Sequence, residues 1–219
     1  MKIAIMQPYF FPYLGYFQLI NSVDKFIFLE DVNYIKRGWV NRNRVDNKGN
    51  AIYFRLQVSG ASQNKKINEL SVVSDSKWRD ELLKTMMHSY GKSPNFEAVF
   101  EMIKGVVRSE NSLVSDVCKD SIVQSCSMVG INTPMCSSTT YQNSSLKGQE
   151  RIIDICKQEG ASQYINPING QSLYSKEDFD KNGIKLNFIR MNDDVPSLSI
   201  IDSLMKIDTS SLLDEYALI

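Results

Sequence analysis

The chain has one histidine and four cysteines, and its 25 Lys and Arg are matched by 25 Asp and Glu in 219 residues. A single histidine excludes sites that need two, and neither a G-x-S-x-G elbow, an H-E-x-x-H helix nor a G-x-G-x-x-G fingerprint is present. Cys118, Cys126, Cys136 and Cys156 have no C-x-x-C spacing and no flanking histidine, so no metal site is expected. Cys118 and Cys126 stand about 12 Å apart along one helical pattern, too far for a disulfide, and the four read as reduced core thiols. A neutral chain has no basic field with which to hold a long polyanion, which excludes bulk nucleic-acid binding. No apolar run reaches membrane-spanning length. The opening MKIAIMQPYFFPYLGYF is broken by Gln7, Pro8 and Pro12, so it has no leader or spanning character, and the expected compartment is the cytosol. What remains, 42% hydrophobic and 23% charged residues, is the composition of a folded chain of one domain.

Apolar patterning divides that domain. Ile3 to Met6 and Lys25 to Leu29 read as buried strands around a helix predicted from Phe10 to Ile20, a β-α-β opening. Trp39 to Val45 and Ala51 to Val58 flank an Asn/Lys/Gly turn and predict a hairpin inserted over residues 39–58. Residues 77–129 predict a helical subdomain of three helices, the last capped by Asn111 or Ser112. A strand near Met135, a helix over 147–159, strands at 163–165 and 184–191, and helices after Ser175 and over 199–207 restore the alternation. The fold class is therefore α/β over residues 1–219, a mainly parallel sheet with helices on both faces, its ligand expected outside the strands' carboxyl ends.

Candidate chemistry gathers at those ends. Gln7, Tyr9, Pro12, Gly15 and Tyr16 follow the first strand and combine stacking rings, close backbone approach and a helix start that favours an anion. Asp31, Lys36, Trp39, Arg42 and Arg44 follow the second strand; the cations suit a diphosphate, and Trp39 offers a stacking face. His88 is the one imidazole able to act as a base near neutral pH, with Asp31 as the alternative. Lys147 and Arg151 at a helix start, and Tyr164, Asn166, Gly170 and Tyr174 after a later strand, complete a cleft over one sheet edge.

The blocks MQPYFFPYLGYFQLI, LEDVNYIKRGWVNRNRV, MHSYGKSPNFEAVF, LKGQERIIDICKQEGASQYINPINGQSLY and SLSIIDSLM resemble, in order and spacing, the WbqC-like protein family over nearly the whole chain. Members of that family occur among bacterial O-antigen and other surface-polysaccharide genes. The resemblance implies transfer of glycine or a similar acyl unit to an amino sugar. A second likeness joins Phe10-Phe11-Pro12-Tyr13-Leu14-Gly15-Tyr16 to the F-x-P-x-H-x-G-H loop of the nucleotidylyltransferase superfamily, with Leu14 and Tyr16 where the histidines stand. It implies a related, HUP-like sheet without histidine-assisted adenylyl transfer. Together these readings predict a nucleotide-linked amino sugar as the small-molecule partner. The acyl group would be activated by ATP, as in an amide ligase, or arrive on a preactivated donor. A non-catalytic sugar-nucleotide-binding protein would need the same cleft without a base.

Overall fold

The computed structural model describes residues 1–191, 197–206, 213 and 216–219. Five strands, β1 (Lys2–Met6), β2 (Lys25–Phe28), β7 (Met135–Ser137), β8 (Gln163–Pro167) and β9 (Lys185–Met191), run parallel. An edge strand, β10 (Tyr216–Leu218), pairs antiparallel with β9, completing the order β10-β9-β8-β1-β2-β7. The chain moves outward one way from β1 through β2 to β7, then returns and moves the other way through β8 to β9. The direction reverses between β1 and β8, which is where doubly wound sheets bind ligands.

Strand alternation sorts the core into two layers. Ala4, Phe26 and Phe28 pack on one face with α1 (Leu14–Asn21), α2 (Lys77–Tyr90), α3 (Phe96–Val107), α4 (Val114–Met128) and α7 (Ile200–Lys206). Ile3, Ile5, Ile27, Leu186 and Phe188 pack on the other with α5 (Gly148–Gln158) and α6 (Lys176–Lys181). The hairpin β3 (Arg42–Asn47) and β4 (Asn50–Arg55) lies on the first layer, burying Val45 and Phe54. Its tight turn places Lys48 and Gly49 at φ 54° and 85°, the left-handed pair that the Asn/Lys/Gly run predicts.

Three expectations are corrected. The first helix begins at Leu14, not Phe10, because the residue before a proline avoids the helical region; Phe11, before Pro12, turns to φ 44° instead. The cap of α4 is Leu113, and the Ser112 carbonyl accepts a bond from Val72. Residue 72 belongs to a two-stranded ribbon, β5 (Val58–Ser59) and β6 (Ser71–Val72), that the sequence reading omits. Ile207, expected to end the last helix, lies outside the described residues; Lys206 ends α7.

Candidate functional site

Behind β1 the chain enters a loop held from several directions. The Phe11 N–H donates to Ser121 Oγ of α4 (3.0 Å), and its carbonyl accepts from Asn43 Nδ2 of β3 (2.7 Å) and Ser199 Oγ (2.7 Å). Phe10 N–H donates to the Val40 carbonyl, and the Pro12 carbonyl accepts from Ile200 N–H. A phenylalanine at positive φ costs free energy and persists when its surroundings over-determine it. Ahead of this anchored turn stand Gln7 and Tyr9, both half-buried. The Gln7 backbone carbonyl accepts from the Tyr16 hydroxyl (2.8 Å), while its side-chain amide has no hydrogen-bond partner among the described residues. Burial, with Tyr13 nearby, pushes the Tyr9 phenol up to about 12, so at neutral pH it is a hydrogen-bond donor.

Beyond β2 the alternation of faces continues into two consecutive carboxylates. Glu30 points to the first layer, where the Lys119 ammonium of α4 meets it at 2.8 Å and Ser137 donates to it. Asp31 points to the second layer, where Arg151 of α5 meets it at 2.6 Å and Ser138 donates to it. Ser137 ends the neighbouring strand β7 and Ser138 directly follows it, so each carboxylate has one serine and one helix-borne cation. Burial alone would raise the Asp31 carboxyl, but the bonds from Arg151 and Ser138 outweigh it and hold it below the usual carboxylate range. Arg151 Nε also donates to Asn143, whose own amide donates to Asp154. This pair of rungs closes the sheet's carboxyl edge between β2 and β7.

At the other side of the reversal Asn166 ends β8, 5% exposed. Its Oδ1 accepts from the Tyr164 hydroxyl (3.2 Å), and its Nδ2 donates to the Pro167 carbonyl (3.3 Å). Gly170 makes room for this amide, since a Cβ there would stand 2.1 Å from Asn166 Nδ2. The Tyr164 hydroxyl also reaches that of Tyr174 (3.4 Å). Gln7 thus follows β1, and Asn166 is the last residue but one of β8, the two adjacent strands that flank the reversal.

Several expected site residues stand elsewhere. Tyr16 and Tyr164 are fully enclosed, the latter stacked on Phe179 at 5.5 Å, so they support Gln7 and Asn166 instead of offering rings to a ligand; Pro12 and Gly15 are buried too. Arg42 and Arg44 occupy the face of β3 opposite Asn43 and Val45, turned away from the loop that Asn43 grips. Lys36 and Trp39 are exposed beside them. Lys147, the exposed N-cap of α5, is not joined by Arg151, which turns inward to Asp31. His88 lies exposed in the last turn of α2 and makes no hydrogen bond among the described residues. Two depressions, of about 850 Å³ beside Lys92, Asn95, Phe96 and Leu204 and about 330 Å³ between α2 and α3, belong to the helical layer. Sequence reasoning missed Ser121, Glu30, Lys119, Ser137 and Ser138. The polar doublets that directly follow two apolar strand patterns were the available signal for Glu30, Ser137 and Ser138.

A model of the WbqC-like protein family matches residues 7–213, which spans the anchored loop, both carboxylate rungs and the Asn166 turn. The chain belongs to that family. An uncharacterized protein of Mycobacterium tuberculosis is similar to this WbqC-like chain, 27% identical over 190 residues that make up 85% of this chain and 81% of the relative. No solved structure matches it. Among the described residues of this WbqC-like protein, no group of three or more His, Cys, Asp or Glu could hold a metal ion, and no helix is long and apolar enough to cross a membrane.

Proposed function

We propose that this WbqC-like protein is an enzyme of surface-glycan biosynthesis that binds a nucleotide-linked amino sugar between β1 and β8. It transfers an acyl or aminoacyl group, glycine among the candidates, to the sugar's amine. The observation that carries the reading is that Gln7, whose side-chain amide has no hydrogen-bond partner among the described residues, and Asn166, whose amide is fixed by Tyr164 and given room by Gly170, both lie at the carboxyl ends of the two strands that flank the reversal. Two carboxamides that donate and accept without charge suit sugar hydroxyls, and the first turn of α1 behind the loop favours a phosphate. The acyl-transfer chemistry itself rests on the family resemblance.

In this reading Gln7, Tyr9 and Asn166 bind the sugar, while Asp31 stays ionised and positions Arg151 and Ser138. The amine needs to lose a proton before it attacks the acyl carbon. His88 faces solvent and the Glu30 and Asp31 carboxylates are paired with cations, so no free base stands at the reversal among the described residues. That observation favours a second reading, a sugar-nucleotide-binding protein that passes its ligand to another enzyme.

Thermal unfolding against a panel of amino-sugar nucleotides tests the binding step, because a ligand that binds only the folded state raises its stability. A shift is expected, and Gln7→Ala should weaken binding about 3- to 10-fold. Incubation of the hit with ATP and glycine, or with an acyl thioester, then separates the readings. A sugar carrying the mass of one acyl group supports the enzyme, and unchanged sugar supports the carrier. A panel without any shift would overturn both.

A further inference from the structure

The outer face of the β3–β4 hairpin is chemically unlike the rest of the chain. Residues 32–55 hold six Lys and Arg against the single carboxylate of Asp46, so elsewhere nineteen cations face twenty-four carboxylates. Cross-strand pairing puts Arg42 opposite Arg55 and Arg44 opposite Tyr53, all on the face that turns away from the core. The side chain of Arg42 donates to the carbonyls of Arg37 and Gly38, which fastens the turn carrying Ile35, Lys36 and Arg37 to this face. Asp46 is already matched by Lys206 at 2.9 Å. Apolar side chains lie open among the cations: Ile35 is 55% exposed, Tyr53 48% and Trp39 41%.

We infer that this face docks on an anionic lipid bilayer. Trp and Tyr rings settle at the headgroup level of a membrane, where an apolar body and a polar edge are both accommodated, and neighbouring Lys and Arg are drawn to acidic headgroups. Arrangement of the rings separates this occupant from single-stranded nucleic acid. Base stacking needs a bare aromatic face. Here Arg42 and Arg55 both lie over the Tyr53 ring, at 4.9 and 5.9 Å, and Arg44 lies over Trp39 at 5.7 Å. The rings are covered by their own guanidiniums; those of Arg42 and Arg44 donate in part to Arg37, Gly38 and Ser197, while exposed Arg55 makes no hydrogen bond among the described residues and can match phosphate oxygens. The sheet's carboxyl edge takes no part in this contact, so the inference stands apart from the proposed acyl transfer.

The test is partition of the full chain onto extruded vesicles of phosphatidylcholine alone or with about a third phosphatidylglycerol. Binding to the anionic vesicles only is expected, weakening in high salt. The emission of Trp39 should shift to shorter wavelength, and Trp78, which is 7% exposed, should change little. Each cation near an anionic surface is worth about fivefold in partition, so Lys36→Ala with Arg55→Ala should lower it about 25-fold. Trp39→Phe should abolish the emission shift and serves as the second probe if the charge variant fails to fold. No partition onto anionic vesicles, equal partition onto neutral ones, or a charge variant that folds and binds as before would overturn the proposal. So would tighter capture by a single-stranded oligonucleotide or by polyglutamate at the same salt concentration.

Discussion

Phe11 occupies a backbone conformation disfavoured for a residue with a side chain, and it does so with its ring wholly buried. The two acceptor bonds on its carbonyl come from Asn43 and Ser199, on separate parts of the chain. Removing one leaves a half-satisfied carbonyl on a strained residue. Asn43→Ala should therefore cost about 1–3 kcal/mol of folding free energy in urea unfolding, and weaken sugar-nucleotide binding because Gln7 and Tyr9 precede this turn. A loss of stability without a loss of binding would show that the anchors hold the fold alone. None of this is legible in the sequence. A Phe-Pro pair announces that a helix cannot run through it, but the side chains that receive the strained carbonyl come from 32 and 188 residues away.

At the scale of elements, the strand patterns that run straight into buried chemistry are the legible ones. Among the parallel strands, β1, β2 and β8 are readable because both their faces are covered, which leaves apolar runs bounded by polar residues, whereas β7 is three half-buried residues marked by Pro134 before it and a polar loop after it. The ribbon β5–β6 and the edge strand β10 are two or three residues each, too short for any period, and exist because distant partners pair with them. The rungs at the ends of β2 and β7 fall between these cases, visible as the doublets Glu30-Asp31 and Ser137-Ser138 but not as pairs with Lys119 and Arg151.

Breaking one rung should cost far more than replacing it. Arg151→Met leaves the Asp31 charge buried without its cation and should destabilise by about 3–5 kcal/mol, while Asp31→Leu with Arg151→Met should recover much of that loss. The pH dependence has a fixed sign. The folded Asp31 carboxyl lies below its unfolded value of about 3.9, so its contribution is present above that pH and is lost as the pH falls through the folded value. The unfolding free energy of Arg151→Met should accordingly fall less steeply below about pH 4 than that of the parent chain, as read from acid titrations of the melting curve.

At the scale of the whole molecule, the sheet stands between unequal layers: among the described residues, five α-helices and a hairpin on one face, two α-helices on the other. The strands β1, β2 and β8 are paired on both sides and covered on both faces, so their amides should exchange with solvent slowest, on the timescale of global unfolding. The ribbon β5–β6 should exchange through local opening long before them. Comparable rates in the two sets, measured by mass spectrometry of peptic fragments, would mean that the layers unfold as one unit.

The alternation that sends Glu30 to one layer and Asp31 to the other also sets a rule of parity for this chain. A residue inserted or deleted between Phe28 and Glu30 would rotate the doublet by one step, turning each carboxylate toward the other layer and leaving one of Lys119 and Arg151 without its partner. Length changes in pairs would keep the sides straight. Exposed turns such as that at Lys48 and Gly49 answer to no such count. Natural and engineered variation in length should therefore collect at the hairpin tip and be absent from the three positions after Phe28, a pattern that deep insertion-deletion scanning would reveal as an odd-even rhythm.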